Sequence, residues 1–291
     1  MKFTIGTDPE FFLKKKTTKE DRYISAIPYI KGTKEAPHIL PNGAGLQWDN
    51  VAIEFASTVS SDKWSFIGGL ETTLKHIQKL LNPYRLYMVC TPSAYFPEEE
   101  IQSQEAKEFG CSPDFNVWDR SVNEAPVPLS PVFRSCGGHV HVGHPSLSSL
   151  EAKETMVKAM DVTCGLVSLI LDNNKEAIER RTLYGKAGCF RPTKYGIEYR
   201  TLSNFWLKSP LFVELIYSLT KDALMLASKG EFLKDINPDW IQDSINNPKQ
   251  EVNPSSYRQV VEKYISGESS DLLNACITKK VESFNKEWGL V

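Results

Sequence analysis

Residues 135–144 read SCGGHVHVGH, and they hold three of the five histidines in the chain. One valine separates His139 from His141, and side chains two apart on a β-strand point to the same face. This pair therefore shares a face if the stretch is a strand, whereas His144 lies beyond the strand end at Gly143. Two interpretations stay open: a metal site, or core histidines satisfied by hydrogen bonds.

The same spacing recurs in two other stretches that are rich in strand-forming residues. The charged residues concerned are Asp8 and Glu10 in GTDPEFF, and Glu198 and Arg200 in GIEYRTL. A further strand is predicted over residues 46–57, LQWDNVAIEFAS. Its two acids, Asp49 and Glu54, are five apart and would face opposite ways on a regular strand. Asp49 must therefore lie in a turn or bulge if both acids serve one site.

Taken alone, each of these pairs is also typical of the solvent-exposed face of an antiparallel sheet that is buried on one side only. The residues between them are strongly apolar, which predicts strands whose other face is packed. If the polar faces converge, carboxylates share one cavity, and two charges about 4 Å apart repel by about 4 kcal/mol at a dielectric near 20. Divalent cations relieve that cost. Carboxylates with an imidazole suit Mg²⁺ or Mn²⁺ better than zinc.

A cation-rich segment leads into the last of these strands. Residues 180–200 read RRTLYGKAGCFRPTKYGIEYR and contain four arginines, two lysines and three glycines. The segment is not a Walker A loop, because Ala187 follows Lys186 and the preceding glycine is missing. Taken alone, a segment of this composition is also typical of a solvent-exposed surface. An arginine two residues after a metal-binding glutamate favours phosphate binding, since arginine forks grip phosphate and metal with arginine is typical of phosphoryl transfer.

Composition and charge narrow the classes of function. The net charge is −2, and 41% of residues are hydrophobic and 24% charged, so no domain-wide basic field predicts a nucleic-acid partner. No apolar run approaches the length of about 18 residues needed for a membrane span, and the N-terminal residues do not predict a signal peptide. The six scattered cysteines form no CxxC pair, which predicts reduced thiols in a cytoplasmic protein.

Hydrophobic periodicity predicts an α+β fold: a largely antiparallel sheet with flanking helices and a helical C-terminal part. We expect one domain over 1–291, with a catalytic sheet core in 1–206 and helices in 207–291. A helix should begin at Asp62, and another should follow a capping box at Ser148 and Glu151. The remaining expected elements are strands at 2–13, 22–27 and 85–90, a long loop at 110–131, and helices near 237–246, 255–266 and 269–287.

The segments GGHVHVG and GIEYR resemble two active-site strands of the glutamine synthetase and glutamate–cysteine ligase superfamily. The chain is more closely similar to the phage-type carboxylate–amine ligases, or type 2 amidoligases. That resemblance rests on GTDPEFFL, GCSPDFNVW, RSCGGHVHVGH and RRTLYGKAGCFRPTKYGIEYRTLSNFW, which span residues 6–206. It implies a glutamine-synthetase-like sheet, a partial barrel lined by the active site.

The resemblance also implies roles for individual residues. The implied ligands of two or more Mg²⁺ or Mn²⁺ ions are Asp8, Glu10, Asp49, Glu54, His139 and Glu198. The implied contacts to ATP are His141, Arg200, Arg181, Lys186 and Arg134. Arg200, Arg181 and Arg191 would stabilise the transferring phosphate, and Asp114 would act on the incoming amine, with Asn116 beside it. Asp8 stands where the family has a glutamate, and no role is implied for His144.

The implied reaction is ATP-dependent amide formation through an acyl phosphate, with release of ADP and phosphate. Carboxylate and amine substrates could be small molecules, peptides or protein side chains, with no nucleic-acid or membrane partner. The protein would act in the cytoplasm, that of the host cell if a phage encodes it, and its oligomeric state is open. The alternatives are a phosphotransferase of the guanidino-kinase type, a metal-dependent hydrolase and a non-catalytic phage structural protein.

Overall fold

We describe the fold from a computed structural model that describes residues 2–107, 114–123, 126–128, 130–247 and 254–290. In this part of the chain the strands are β1 Thr4–Lys15, β2 Arg22–Ile24, β3 His38–Ile39, β4 Gly45–Asp49, β5 Ala52–Ala56, β6 Leu86–Val89, β7 Ser93–Tyr95, β8 Phe115–Asn116, β9 Phe133–Ser135, β10 Gly138–Gly143, β11 Cys189–Pro192 and β12 Gly196–Tyr199. The helices are α1 Lys63–Leu81, α2 Gln104–Lys107, α3 Leu150–Met160, α4 Leu166–Leu171, α5 Lys175–Leu183, α6 Pro210–Lys229, α7 Pro238–Asn246, α8 Pro254–Val261, α9 Gly267–Thr278 and α10 Phe284–Glu287.

Most of the strands belong to one large sheet, while β7 and β9 pair separately. Adjacent strands of the large sheet follow the order β3-β4-β5-β1-β10-β12-β11-β8, and β2 and β6 pair with β1 off this path. The neighbouring strands of this sheet all pair in antiparallel orientation. Among the described strands this order has two ends, so the sheet is open. The prediction of an α+β fold with a large antiparallel sheet and helices is thereby confirmed.

Helix α1 shows how local sequence sets the element boundaries. Asp62 caps its N-terminus by accepting a hydrogen bond from the backbone N–H of Ser65 at 2.9 Å, which satisfies one of the free N–H groups of the first turn. Pro83 lies two residues after the last helical residue, Leu81, and cannot continue the helix. The buried stripe between these ends consists of Phe66, Leu70, Leu74, Ile77 and Leu81.

The central strands are packed on one face and polar on the other. On the packed face Val140, Val142, Ile197 and Tyr199 are fully buried, and they share one hydrophobic core with residues of α3. Helix α3 packs on β11 and β12, and α6 packs on α3. Because side chains alternate along a strand, this packing leaves the intervening residues on the opposite, polar face.

Two local predictions are wrong. Residues 46–57 do not form one strand, because the chain turns back at Asn50, which has the left-handed φ of 55° that an asparagine tolerates. Strands β4 and β5 therefore pair as a hairpin. The cap of α3 is Ser149, which bonds the N–H of Ala152, and not Ser148.

The other strand and helix predictions agree in position with described elements to within a few residues, except that the last predicted helix, 269–287, is two helices, α9 and α10. Within the predicted loop at 110–131, residues 110–113, 124–125 and 129 lie outside the described residues. The division at 206 and 207 stays a prediction. In the described parts of the chain, no helix is both long and apolar enough to cross a membrane.

Candidate active site

The pairing of β1 with β10 brings the first acidic residue to the histidines. Asp8 lies opposite His139 in the antiparallel register. One of its oxygens, Oδ1, is 3.2 Å from His139 Nδ1 and 3.1 Å from His141 Nε2. Burial opposes ionisation of Asp8, but the two imidazoles outweigh it and hold the pKa of this carboxyl below its ordinary range. Asp8 therefore bridges both histidines.

Strand β12 adds a second carboxylate from the other side of β10. Glu198 lies opposite His141, and its Oε1 is 3.7 Å from His139 Nδ1. Asp8, His141 and Glu198 each offer one ligand atom, and these three atoms lie within 4.8 Å of one another. We call Asp8, His139, His141 and Glu198 the histidine cluster. A single cation could contact several of its members at once.

A second acidic group lies beside the first, where β1 pairs with β5. Glu10 lies opposite Glu54, and Glu54 lies opposite Gln47, whose amide donates a 2.6 Å hydrogen bond to it. Asp49, two residues after Gln47 on β4, shares that face, and its charge raises the pKa of both glutamates. We call Glu10, Glu54 and Asp49 the glutamate cluster. The hairpin turn at Asn50 supplies the turn that the sequence required for Asp49.

Burial and like charge make the glutamate cluster costly to ionise. Desolvation first, and then the charges of Asp49 and Asp8, raise the pKa of Glu10 to about 7, although a 2.7 Å hydrogen bond from the Gly137 N–H favours the carboxylate. Desolvation and the charge of Glu10 raise the pKa of Glu54 well above its ordinary value. Carboxylates arranged in this way are stabilised in their charged form by a cation.

The pKa values of the two imidazoles are shifted in opposite directions. Burial, together with the charge of Arg200, lowers the pKa of His139. Burial also opposes the charged form of His141, but the hydrogen bond and charge of Asp8 raise its pKa overall. Tyr195, whose hydroxyl lies 2.7 Å from His141 Nδ1, fixes the ring from its outer side. The sequence analysis missed Tyr195, although its position three residues before Glu198 in the glycine-punctuated turn was a usable signal.

Arg200 is the cation at the centre of the site. Its Nε donates to Asp114 Oδ2 at 3.1 Å, and its Nη1 contacts His139 Nδ1 at 3.3 Å and also pairs with Glu198. Arg191, directly opposite Glu198 on β11, approaches that carboxylate to 3.5 Å. The structure therefore gathers both arginines, Asp114 and the histidine cluster on one polar face.

Three other basic residues, which were predicted to contact ATP, are hydrogen-bonded within loops and helix ends. Arg181 is 1% exposed and bonds the Asp172 carbonyl and the Ser168 hydroxyl. Lys186 donates a 2.6 Å hydrogen bond to the Arg181 carbonyl at the end of α5. Arg134 donates to Asn50 and to the carbonyls of Ala106, Pro131 and Phe133. Their phosphate roles stay predictions.

Arg180, the neighbour of Arg181, acts on the site instead. It is buried, donates to the carbonyls of Thr201 and Leu202, and its charge partly offsets the rise in the pKa of Glu10. The sequence analysis included Arg180 in the cation-rich segment without giving it a role. Which of two adjacent helical residues points to a site depends on how the helix docks, which is not visible in the sequence.

Two further residues of interest lie at the margins of the site. Asn116 accepts a 2.8 Å hydrogen bond from the Trp118 N–H and shapes the turn after Asp114. His144 bonds the hydroxyl of Ser146 through Nδ1 at 2.7 Å, after the end of β10. Its contact is local, which agrees with the expectation that His144 lies beyond the strand.

The donor set fits a hard divalent cation. Carboxylates make up the whole glutamate cluster and half of the histidine cluster, whose other two members are imidazoles, and this mixture is compatible with Mg²⁺ or Mn²⁺. Burial and then neighbouring acidic charges raise the pKa of Glu10 and of Glu54, so their ionised forms are disfavoured without added positive charge. A metal bound here would supply that charge. The geometry thus places arginines, carboxylates and candidate metal ligands on one polar face of the sheet.

Comparison with known proteins finds a family that is similar to the sequence around this face. Residues 128–237 match the family described as phage phiEco32-like COOH.NH2 ligase-type 2. This segment contains β10 with its two histidines, Glu198, Arg191 and Arg200. The predicted resemblance to phage-type carboxylate–amine ligases is confirmed. No curated protein matches the sequence.

The fold also has a counterpart among solved structures. A crystal structure of a bifunctional glutathione synthetase from Pasteurella multocida matches with a TM-score of 0.50 and 10% sequence identity. The match covers 99% of this chain and 48% of that chain. Our chain therefore spans about half the length of this relative, and the likeness concerns the fold.

Proposed function

Because residues 128–237 match the family of phage carboxylate–amine ligases, we propose that this protein is an ATP-dependent ligase that joins a carboxylate to an amine. The observation that carries the proposal is the position of Arg200, which contacts Asp114, His139 and Glu198 at once. An arginine held between an acid and a metal-binding carboxylate suits a reaction that moves a phosphoryl group and then a proton.

We further propose that the open sheet is of the glutamine-synthetase type, a partial barrel whose polar face is the active site. The support is the order of the polar residues across neighbouring strands: Glu54 on β5, Asp8 and Glu10 on β1, His139 and His141 on β10, and Glu198 on β12. On β1 and β10 these residues are two apart, as in the family segments. The proposal extends to a single catalytic domain over 1–291.

Mg²⁺ or Mn²⁺ is the metal that this site would hold. The candidate ligands are Asp8, His139, His141 and Glu198 in one cluster, and Glu10, Glu54 and Asp49 in the other. A bound divalent ion would neutralise triphosphate oxygens and favour an in-line displacement at phosphorus. The protein residues supply the remaining steps.

In the first half-reaction a carboxylate oxygen of the substrate attacks the γ-phosphorus of ATP, the bond to the β–γ bridging oxygen breaks, and ADP leaves. Arg200 and Arg191 lie where their guanidinium groups can stabilise charge on the transferring phosphoryl group. In the second half-reaction the amine nitrogen attacks the acyl carbon, phosphate leaves and an amide remains. Asp114, held by Arg200 and Asn123, can take the proton released from the amine.

The substrates and setting are proposed only by class. A small molecule, a peptide or a protein side chain would provide the carboxylate and the amine, and the protein would work in the cytoplasm. The specific substrates are to be found by screening acid and amine pairs.

ADP release in the presence of acid and amine pairs tests the proposal. We expect release that requires Mg²⁺ or Mn²⁺ and falls by at least about 10²-fold in Arg200→Ala, the loss typical of removing one charge-stabilising group. Glu198→Ala should abolish it as well. Arg258→Ala is the matched control, because Arg258 lies on α8 and pairs with Glu262, just beyond that helix, outside the two clusters.

Product analysis separates the ligase from its alternatives. Mass spectrometry should find an amide and free phosphate, whereas a guanidino kinase would leave a stable phosphorylated product. A hydrolase would act with metal but without ATP. Metal-dependent turnover that is indifferent to ATP, or ADP release that persists in Arg200→Ala, would overturn the proposal.

A further inference from the structure

A buried carboxylate lies behind the site, on the packed side of the sheet. Asp161 begins a π-helical turn, Asp161–Gly165, between α3 and α4, and such turns recur at functional positions. The residue is 0% exposed. An aspartate in this environment is costly unless its oxygens are hydrogen-bonded, and burial raises its pKa to about 7. The residues that bond it therefore indicate what the carboxylate does.

One oxygen of Asp161 is bonded to the segment around Arg200, which directly follows the end of β12 at Tyr199. Its Oδ1 accepts a 2.7 Å hydrogen bond from the Tyr199 hydroxyl and a weaker one, 3.5 Å, from the Thr201 hydroxyl. Tyr199 and Thr201 flank Arg200 in the chain, and both are fully buried. Because alternate residues point to opposite faces, anchoring the two flanking residues from behind sets the direction of Arg200 on the site face.

The other oxygen of Asp161 is bonded to the segment that carries Asp114. Its Oδ2 accepts a 2.7 Å hydrogen bond from Trp118 Nε1. Asn116 in turn bonds the Trp118 N–H at 2.8 Å, so the turn from Asp114 to Trp118 is tied at its far end. Gly188 allows this close approach, since a Cβ there would lie 2.7 Å from Trp118 Cδ1.

We propose that Asp161 is a positioning residue that sets the distance between Arg200 and Asp114 by tethering both of their segments to one carboxylate. This inference rests on the proposed function, in which Arg200 acts on the phosphoryl group and Asp114 acts on the amine. The 3.1 Å bond between them is the geometry that the two tethers maintain. A shift of about 1 Å between such groups can cost about 10²-fold in rate.

The two tethers are separable by substitutions that leave Asp161 in place. Trp118→Phe removes the indole N–H and frees the 114–123 segment, while Tyr199→Phe removes only the hydroxyl on β12. We expect hydrogen–deuterium exchange of amides in 114–123 to speed about tenfold in Trp118→Phe, as for loss of one hydrogen bond to a charged group. In Tyr199→Phe these amides should exchange as in the wild type. Peptides from β1 are the internal control in both variants.

This exchange measurement does not depend on ligase activity. Exchange in 114–123 that stays within about twofold of the wild type in Trp118→Phe would overturn the tether. Faster exchange in a protein without ADP release would refute the proposed function while supporting the tether. The two failures are therefore distinguishable.

Kinetics then separate positioning from a purely structural role. Trp118→Phe should raise the KM for the amine about tenfold and leave the KM for ATP within about twofold, whereas Tyr199→Phe should lower kcat about tenfold. Asp161→Leu should combine both effects, and Asp161→Asn, whose amide can still accept from Trp118 and donate to Tyr199, should restore most activity. Equal losses of all kinetic constants with lower melting temperatures, and no recovery in Asp161→Asn, would show that Asp161 only stabilises the fold.

Discussion

Replacing Glu10 with glutamine should stabilise the metal-free protein at alkaline pH. The change removes one negative charge from the glutamate cluster and keeps the shape of the side chain. The glutamine carbonyl can still accept the 2.7 Å hydrogen bond from the Gly137 N–H. The effect on the free energy of unfolding should therefore come mainly from the charge.

The magnitude follows from the pKa of about 7, raised from the ordinary 4.5 by burial and then by Asp49. A difference of about 2.5 corresponds to about 3 kcal/mol. Because the folded state holds the proton more tightly than the unfolded state, this contribution is present below about pH 4.5 and is lost as pH rises through about 7. The wild type should thus lose about 2.5 kcal/mol relative to Glu10→Gln between about pH 5 and pH 8.5.

Thermal unfolding in the presence of a chelator measures the difference. For a chain of this size about 2 °C of melting temperature corresponds to 1 kcal/mol, so the variant should gain about 5 °C on the wild type over that pH range. Added Mn²⁺ should raise the melting temperature of the wild type more than that of Glu10→Gln, since stabilisation grows with ligand affinity. The two effects have opposite signs in one variant.

Glu100→Gln is the matched control, because Glu100 is half-buried and also accepts one backbone hydrogen bond, from Ser25 N at 2.8 Å, outside the glutamate cluster. It should show no Mn²⁺-dependent difference from the wild type. A metal-free Glu10→Gln protein that is less stable than the wild type at pH 8.5, with an unchanged response to Mn²⁺, would refute our reasoning about the cluster.

Three further substitutions test other parts of the site. Arg200→Lys keeps the charge but loses the planar fork, so ADP release should fall by about 10²-fold or more; an unchanged rate would remove Arg200 from phosphoryl transfer. Gly137→Ala would place a Cβ 2.6 Å from His139 Nε2, so calorimetry should find Mn²⁺ affinity weakened about tenfold, and equal affinity would contradict this geometry. Arg181→Met breaks a buried ion pair with Asp172 and should cost about 3–5 kcal/mol in urea unfolding, whereas full stability with lost ADP release would favour its predicted phosphate role.

Much of the site was predictable because strand alternation is a local property. Asp8 with Glu10, and His139 with His141, share a face whatever lies next to their strands, since the period of two is built into extended backbone. The apolar residues between them indicated which face would be packed. Residue chemistry then predicted hard cations and phosphate as ligands of the site.

The sequence by itself determined which side chains share a face of each strand and what chemistry they offer. Only the tertiary structure decided their neighbours: Glu54 opposite Glu10, Asp49 returned by the hairpin turn, and Arg180 rather than Arg181 beside the glutamate cluster. Asp161 and its bond to Trp118 also depend on this level. The reason is physical, because register, turn position and helix docking are set by pairing and packing between residues far apart in the chain.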